Sequence, residues 1–295
     1  TKSGSAHFLV GAGKQFRKPW SKLLGHDGAL IGPTDSFVRE KMKEFETIIQ
    51  TEDGDMDTFV CYPEEGGPYP AIVIYMDAPG IREELRDMAR RIGTVGYYVI
   101  LPNLYYRHGR EGNYGFDLAR IREDDGELQK MFGLMNDTTT AKVVADTRSM
   151  LTFIEKDPQA KAGPIGCVGY CMSGKYVVQI AATFAEEFAA IASFYGVGIQ
   201  TDEADSPHLS AGKIKGELYL AFAEEDIYVP PALLKSIPQE MAKAEVNHRV
   251  EVYPSTTHGF AFPQRPAYNK SAAERHWVRI FALFDRNLKT HRTVS

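Results

Sequence analysis

The segment at residues 169–174, with the sequence Gly-Tyr-Cys-Met-Ser-Gly, constrains the fold of this chain more than any other. It follows an apolar run at 164–168 that predicts a strand, and it precedes a run with helical character. A strand, a tight turn of small residues and then a helix form a nucleophile elbow, in which one side chain projects alone at the edge of a sheet. The central residue here is Cys171. Gly169 and Ser173 are small enough for the strand to turn sharply into the helix.

An acidic cluster and a histidine follow two later strands, in the order that an α/β-hydrolase needs. In that fold the catalytic residues run nucleophile, acid, base along the chain. The strand predicted at 217–222 leads to three acids, Glu224, Glu225 and Asp226, and the strand predicted at 249–253 leads to His258. The sequence therefore predicts a triad of Cys171, one of these acids and His258.

The chain resembles the dienelactone hydrolase (carboxymethylenebutenolidase) family over roughly residues 55–288. Cys171 stands in a G-Y-C-x-x-G segment, Asp226 in D-x-x-V-P and His258 in H-x-F. The segment 96–105 is similar to the family's G-Y-x-x-x-x-P-D-L-Y, and Ile-Val-Ile-Tyr-Met-Asp-Ala-Pro-Gly before it also fits. The resemblance implies an α/β-hydrolase fold and hydrolysis of an ester or lactone.

Each triad position has competitors in the sequence. Glu224 and Glu225 compete with Asp226, which the resemblance favours because it precedes Ile-Tyr-Val-Pro. His258 is favoured because it lies just after a C-terminal strand and next to a glycine. The histidines that compete with His258 are interpreted as surface or loop residues. They are His108, His208, His248 and His276. The two mid-strand cysteines, Cys61 and Cys167, are interpreted as buried apolar side chains.

The proposed chemistry also needs donors for an oxyanion and support for the thiol. The oxyanion hole is expected to consist of two backbone N–H groups. One belongs to Met172, directly after the nucleophile. The other comes from the loop after the strand at 70–76 and is assigned to Ala78. The family carries a glutamate at the position of Asp77, thought to interact with the thiol and help to ionise it. The alternative is that Asp77 caps the turn before a helix predicted at 82–94.

The expected substrate pocket departs from the family pattern. The family has an arginine four residues after its catalytic histidine, where this chain has Phe262, with Arg265 three residues further on. A phenylalanine there points to a neutral or aromatic substrate, with Tyr105, Tyr195 and Phe262 expected to line the pocket. Candidates for a second anion-binding arginine lie in the 105–125 stretch, at Arg107, Arg110, Arg120 and Arg122.

Composition excludes several other classes of protein. A net charge of −5 provides no basic field for nucleic acid. No apolar run approaches the roughly 18 residues that a membrane span needs. Three cysteines argue against a disulfide framework, so a cytoplasmic location is expected. No residue pattern predicts a metal or an organic cofactor.

Alternating strand and helix patterns from residue 45 onward predict the fold class. Strands are predicted at 45–50, 57–62, 70–76, 97–101, 164–168, 189–194, 217–222 and 249–253, and helices at 82–94, 140–156, 173–185, 231–244 and 271–288. This alternation indicates an α/β-hydrolase with about eight mostly parallel strands, spanning 45–295 after an N-terminal extension at 1–44. The function expected is hydrolysis of a small ester or lactone. The alternatives are thioester or carbon–carbon bond hydrolysis on the same scaffold, or binding of a small molecule without turnover.

Overall fold

The computed structural model describes residues 42–289 of the 295-residue chain. The strands are β1 (Met42–Thr51), β2 (Gly54–Pro63), β3 (Ala71–Tyr75), β4 (Tyr98–Pro102), β5 (Ile165–Tyr170), β6 (Phe188–Phe194), β7 (Glu217–Glu225) and β8 (His248–Thr257). The helices are α1 (Glu83–Gly93), α2 (Asp125–Asp137), α3 (Thr140–Lys156), α4 (Gly174–Thr183), α5 (Pro231–Lys243) and α6 (Lys270–Leu288). Short 3-10 helices lie at Cys171–Ser173 and Pro207–Lys213. The predicted extension at 1–44 lies outside the described residues except for its last three, which begin β1.

The strands form one eight-stranded sheet in the order β1-β2-β4-β3-β5-β6-β7-β8. The pairs from β4 to β8 are parallel, whereas the β1–β2 hairpin and the β2–β4 pair are antiparallel. The predicted number of strands and their mostly parallel arrangement are confirmed. The antiparallel strands lie at one end of the sheet. The elbow and the predicted acid and base all follow strands of the parallel part.

The strand order places the elbow where the direction of winding reverses. From β3 the chain moves to β4 on one side, and from β4 it returns past β3 to β5. Because crossovers between parallel strands are right-handed, α1 lies on one face of the sheet, and α3 and α4 lie on the other. A crevice opens between the carboxyl ends of β3 and β5 at such a switch point, and ligands of open α/β sheets bind there.

The central strands are buried on both faces, as parallel strands covered by helices must be. Every residue of β3, β4 and β5 is buried. In α6 the three- to four-residue spacing predicts one apolar face with Trp277, Ile280, Phe281 and Phe284. Trp277, Ile280 and Phe284 are buried, whereas Phe281 is only partly buried. His276 lies on the same buried face, so its interpretation as a surface or loop residue is wrong.

The stretch between β4 and α3 contains helix α2, which the sequence patterns did not predict. Only Glu127 and Met131 of this helix are buried, so its apolar stripe is too narrow to be recognised. Its N-terminus does carry a local signal, because the Asp124 carboxylate accepts hydrogen bonds from the Gly126 and Glu127 N–H groups. Helix α2 is the last part of the excursion that follows β4, and α3 comes directly after it.

Candidate active site

Cys171 occupies a strained turn between β5 and α4. β5 ends at Tyr170, one turn of 3-10 helix follows, and α4 begins at Gly174. Cys171 has a left-handed backbone with a φ of 54°, a conformation that costs a non-glycine residue about 1–3 kcal/mol. A Cβ added to Gly169 would lie 2.6 Å from the Ser173 carbonyl oxygen, so the turn requires glycine there. The structure therefore has the local geometry of the predicted nucleophile elbow.

The predicted acid and base come together because the strands before them pair in parallel. Asp226 follows β7, His258 follows β8, and these two strands are neighbours. Nδ1 of His258 lies 2.8 Å from Oδ2 of Asp226. The other carboxylate oxygen accepts the Tyr228 N–H at 2.9 Å, and the Asp226 side chain is fully buried. The carboxylate is thereby fixed in an orientation that holds the imidazole.

The second nitrogen of His258 is available for proton transfer. Nε2 is buried and makes no well-aligned hydrogen bond to any described residue. Burial by itself lowers the pKa of His258, but the hydrogen bond to Asp226 and the interaction with the neighbouring Cys171 side chain together raise it to about 9. The imidazolium form is thus favoured beside the Cys171 sulfur, as an acid–base pair requires.

The two predicted oxyanion-hole segments lie on the two sides of the crevice between β3 and β5. Ala78 lies in the loop after β3, where the Gly80 N–H donates to the Asp77 carbonyl at 2.9 Å and closes a turn. Met172 follows the elbow cysteine and is fully buried. The Tyr105 hydroxyl lies between the segments, since it donates to the Ala78 carbonyl at 2.8 Å and lies 3.3 Å from Sδ of Met172.

Asp77 is held by two arginines and makes no hydrogen bond to Cys171 among the described residues. Its Oδ1 lies 2.6 Å from the Arg82 guanidinium, and its Oδ2 forms an ion pair with Arg265. Arg82 also pairs with Glu84 at 2.8 Å. Burial opposes ionisation of Asp77, but the two guanidinium groups hold its pKa below the usual value. We name Asp77, Arg82, Glu84 and Arg265 the Asp77 cluster.

The three side chains that were expected to line the pocket are all fully buried. The Tyr195 ring packs edge-on against His258 at a centroid distance of 5.1 Å. Phe262 lies beneath the Arg82 and Arg265 guanidinium groups, at 4.9 and 5.1 Å from its centroid. Tyr105 lies behind the loop after β3. The region around Phe262 therefore does contain cations, although the sequence suggested that one was missing.

Two apolar residues that the sequence analysis did not single out lie beside the triad. The Tyr228 ring packs edge-on against His258 at a centroid distance of 4.8 Å. Tyr195 is fully buried, whereas Tyr228 is 46% exposed. Ile227 is 88% exposed. Both belong to the D-x-x-V-P segment, which could have indicated them. Tyr228 thus gives the site an exposed aromatic side chain next to the base.

Comparison with known proteins shows the family to which the chain belongs. The model of the dienelactone hydrolase family matches residues 56–288. A Synechocystis protein named "Putative carboxymethylenebutenolidase" is 31% identical over 234 residues, which cover 78% of this chain and 92% of that protein.

The chain belongs to the dienelactone hydrolase family.

A Methylorubrum extorquens protein of the same name is 25% identical over 80% of this chain and 78% of its own length. A crystal structure from Klebsiella pneumoniae subsp. pneumoniae, described as a putative dienelactone hydrolase, has a TM-score of 0.73 at 22% identity and covers 83% of this chain and 99% of that chain. As a member of the dienelactone hydrolase family and the α/β-hydrolase superfamily, the protein is a hydrolase.

The competing candidates are exposed or are engaged by other partners. Glu224 is exposed and accepts the Ser255 N–H at 2.7 Å, and Glu225 is also exposed. Arg107 is engaged by the buried Asp146 and by Asp53. Arg110, Arg120 and Arg122 lie in the excursion after β4, where Arg120 pairs with Asp124.

Within residues 42–289, no group of three or more histidine, cysteine, aspartate or glutamate side chains is arranged to hold a metal ion. Over the same range, no helix combines the length and the apolar character needed to cross a membrane.

Proposed function

We propose that the protein hydrolyses a small ester or lactone through a Cys171-His258-Asp226 triad and a thioester acyl-enzyme. The proposal rests chiefly on one arrangement, the Asp226–His258 hydrogen bond at 2.8 Å with the free Nε2 beside the cysteine of a strained elbow. A base oriented by a carboxylate and placed against a nucleophile is the arrangement that covalent catalysis requires. Membership of a hydrolase family supports the same reaction class.

In the acylation half of the reaction, the Cys171 sulfur attacks the carbonyl carbon of the substrate. His258 accepts the thiol proton, and the carbonyl oxygen becomes an oxyanion that the Met172 and Ala78 N–H groups stabilise. When the tetrahedral intermediate collapses, the carbon–oxygen bond to the alcohol breaks. His258 returns the proton to the departing alcohol oxygen, which leaves a thioester on Cys171.

Deacylation reverses these roles with water as the nucleophile. His258 removes a proton from a water molecule, whose oxygen attacks the thioester carbonyl carbon. The second tetrahedral intermediate collapses with cleavage of the carbon–sulfur bond. The thiolate takes the proton back from His258, and the carboxylic acid product is released. Asp226 holds the imidazole in one orientation and stabilises its charged form throughout.

The surroundings of the triad favour a neutral, partly apolar substrate. The partly exposed Tyr228 ring packs beside His258, and Ile227, which precedes it, is exposed. Both guanidinium groups nearest to Phe262 are already paired with Asp77, so a substrate carboxylate would compete with that buried anion. A carboxylate that moves from water into an apolar site without a paired cation loses hydration free energy of roughly several kcal/mol.

The test is to trap the acyl-enzyme on Cys171. Mixing the protein with p-nitrophenyl acetate should give a burst of nitrophenol equal to the amount of enzyme, with a mass increase of one acetyl group on Cys171. Cys171→Ala should lose the burst and about 10⁴-fold or more of the turnover, because triad members act as a unit. Cys171→Ala with more than about a tenth of the normal turnover would contradict the assignment.

Further substrates and a melting assay separate the alternative functions. Turnover of acyl thioesters in preference to matched oxygen esters would favour thioester hydrolysis. Cleavage of a carbon–carbon bond in a substrate panel, without ester turnover, would favour that reaction instead. A ligand-induced rise in melting temperature with no product and no acyl adduct would indicate a binding protein.

A further inference from the structure

An oxyanion hole works only if its two donors keep a fixed spacing. In the proposed function, which this inference presupposes, one donor belongs to Ala78 in the loop after β3 and the other to Met172 in the elbow after β5. The donors must lie about 2.7–3.1 Å from the oxygen that becomes charged. A misplacement of about 1 Å is enough to cost roughly 100-fold in rate. The two segments come from different strands, so contacts across the crevice must hold them in register.

The Tyr105 hydroxyl provides one such contact. It donates to the Ala78 carbonyl oxygen at 2.8 Å, and its oxygen lies 3.3 Å from Sδ of Met172. The hydroxyl has one proton, and a carbonyl oxygen is a stronger acceptor than a thioether sulfur. The hydrogen bond therefore fixes the peptide group between Ala78 and Pro79, which adjoins the peptide group that carries the Ala78 N–H. The Met172 sulfur packs against the same hydroxyl oxygen from the elbow side.

Tyr105 is itself held by residues outside both segments. It follows β4, and its N–H donates to Oδ1 of Asn103 at 3.0 Å. Its ring packs edge-on against Tyr114 at 5.4 Å, and Tyr114 also donates to Oδ1 of Asn103. The Tyr105 side chain is fully buried. A third element of the fold thus fixes the position of the hydroxyl, so the hydroxyl can act as a rigid spacer.

The Ser173 hydroxyl provides a second, independent contact across the crevice. It donates to the carbonyl oxygen of Met76, directly after β3, and Ser173 is fully buried. Ser173 is also the residue that the elbow requires to be small. Its hydroxyl therefore has a role that size alone does not explain, since alanine or glycine would satisfy the steric requirement.

We propose that the hydroxyl groups of Tyr105 and Ser173 are positioning groups for the oxyanion hole. They hold the loop after β3 at a fixed distance from the elbow, so that the Ala78 and Met172 N–H groups converge on one oxygen. Neither hydroxyl touches the reacting atoms. Each acts through a main-chain carbonyl of the loop after β3.

Two reactions of the same thiol distinguish this role from a general structural one. Acylation of Cys171 by p-nitrophenyl acetate builds an oxyanion. Alkylation by iodoacetamide displaces iodide from a saturated carbon and builds none. In Tyr105→Phe and in Ser173→Ala, we expect the acylation rate constant to fall about 10- to 100-fold, with the KM for the ester little changed. We expect the alkylation rate constant to stay within about twofold of the wild-type value, because thiolate character and access are unchanged.

Tyr75→Phe is the matched control. Tyr75 is fully buried at the end of β3, and its hydroxyl lies 2.9 Å from Oγ1 of Thr147 in α3, so its hydrogen bond is to a helix and not to the loop after β3. This control loses the same atom from the core and should keep both rate constants. The two test variants each delete one oxygen from a separate contact, so either one decides the question if the other does not fold.

Unchanged acylation in a folded test variant would overturn the proposal. So would a parallel fall of acylation and alkylation, which would indicate damage to the thiol or to the elbow as a whole. Failure of the proposed function has a different signature, since either the wild type would give no nitrophenol burst or Cys171→Ala would keep it. The burst is therefore measured first in both proteins.

Discussion

Nδ1 of His258 lies 2.8 Å from Oδ2 of Asp226, across the ends of two neighbouring parallel strands. This hydrogen bond and the Cys171 side chain together raise the pKa of His258 to about 9, against the lowering that burial causes. Asp226 contributes more through its hydrogen bond than Cys171 does. The raised pKa is thus a measurable sign that the three side chains interact.

The coupling predicts how the pKa of His258 responds to substitution. In Asp226→Asn the imidazolium loses its anionic partner, so we expect the pKa to fall well below 9, toward or below the usual value of about 6.5. In Cys171→Ala we also expect the pKa of His258 to fall. Titration of the histidine ring resonances by NMR would measure both. An unchanged pKa in Asp226→Asn would mean that the hydrogen bond is not formed in solution.

The same raised pKa predicts a pH dependence of stability. The folded state binds the His258 proton more tightly than the unfolded state does, so the stabilisation is complete below about pH 6.5 and is lost as the pH rises through 9. The free energy of unfolding of the wild type should therefore decline over this range relative to that of His258→Gln. Urea unfolding at pH 6.5, 8 and 9.5 would measure the difference between the two proteins. Parallel curves would contradict the prediction.

The three cysteines should differ sharply in reactivity. Burial raises the pKa of the Cys61 thiol to about 12 and also raises that of Cys167, whereas Cys171 is partly exposed at the elbow. Because thiolate character and access determine alkylation, iodoacetamide should label Cys171 first. Peptide mapping after a short exposure at pH 8 would test this. Labelling of Cys61 or Cys167 before Cys171 in the folded protein would contradict it.

The parts of the site that the sequence predicted depend on local patterns and on topology. The elbow is a contiguous segment, and Asp226 and His258 each follow a strand directly. Parallel strands place their carboxyl ends at one edge of the sheet, so residues after successive strands are expected to meet there. Helix α3 was also predictable, because its apolar spacing and the Thr139 N-cap are both local signals.

The parts that were missed depend on contacts between distant positions. Arg82 and Arg265 are 183 positions apart, yet they converge on Asp77, and neither has a local pattern that indicates its partner. His276 was interpreted as a surface or loop residue because its side chain is polar, although it lies four residues before Ile280 on the apolar face of α6. In the structure it packs against Phe194, and its Nε2 lies 2.8 Å from the Tyr170 hydroxyl.

The burial of His276 predicts loss of stability in acid. Desolvation lowers its pKa to about 3, so the unfolded state binds the proton more tightly than the folded state does. Its contribution to stability is present above about pH 6.5 and is lost as the pH falls toward 3, at up to about 1.4 kcal/mol per pH unit. His276→Gln should flatten this part of the curve, whereas the control His248→Gln, at a partly exposed position, should not. Equal acid sensitivity of wild type and His276→Gln, measured by urea unfolding from pH 7 to 4, would contradict the prediction.

The charges of the Asp77 cluster predict which substrates the site prefers. Two carboxylates balance two guanidinium groups in the cluster, and Asp77 occupies the donors of Arg265. We therefore expect neutral esters or lactones to exceed their carboxylated analogues in kcat/KM by at least about tenfold, or ~1.4 kcal/mol. Kinetics on a matched neutral and anionic pair would measure this ratio. A wild-type preference for the anionic member would mean that an arginine accepts the substrate carboxylate despite Asp77.

Asp77→Asn should shift that preference, because the asparagine leaves the Arg82 and Arg265 guanidinium groups with one positive charge in excess. We expect the ratio of anionic to neutral kcat/KM to rise about tenfold or more. Taking the ratio within one variant cancels any loss of folded protein. Arg265→Met in the Asp77→Asn background should return the ratio to the wild-type value if Arg265 is the released cation.

The single variant Asp77→Asn also tests the suggested support of the thiol by Asp77. If Asp77 supports the thiol, the pH dependence of Cys171 alkylation should change in this variant. A rise in the ratio with unchanged alkylation would assign Asp77 to substrate selection, and no change in either would leave it as a residue that stabilises the turn before α1.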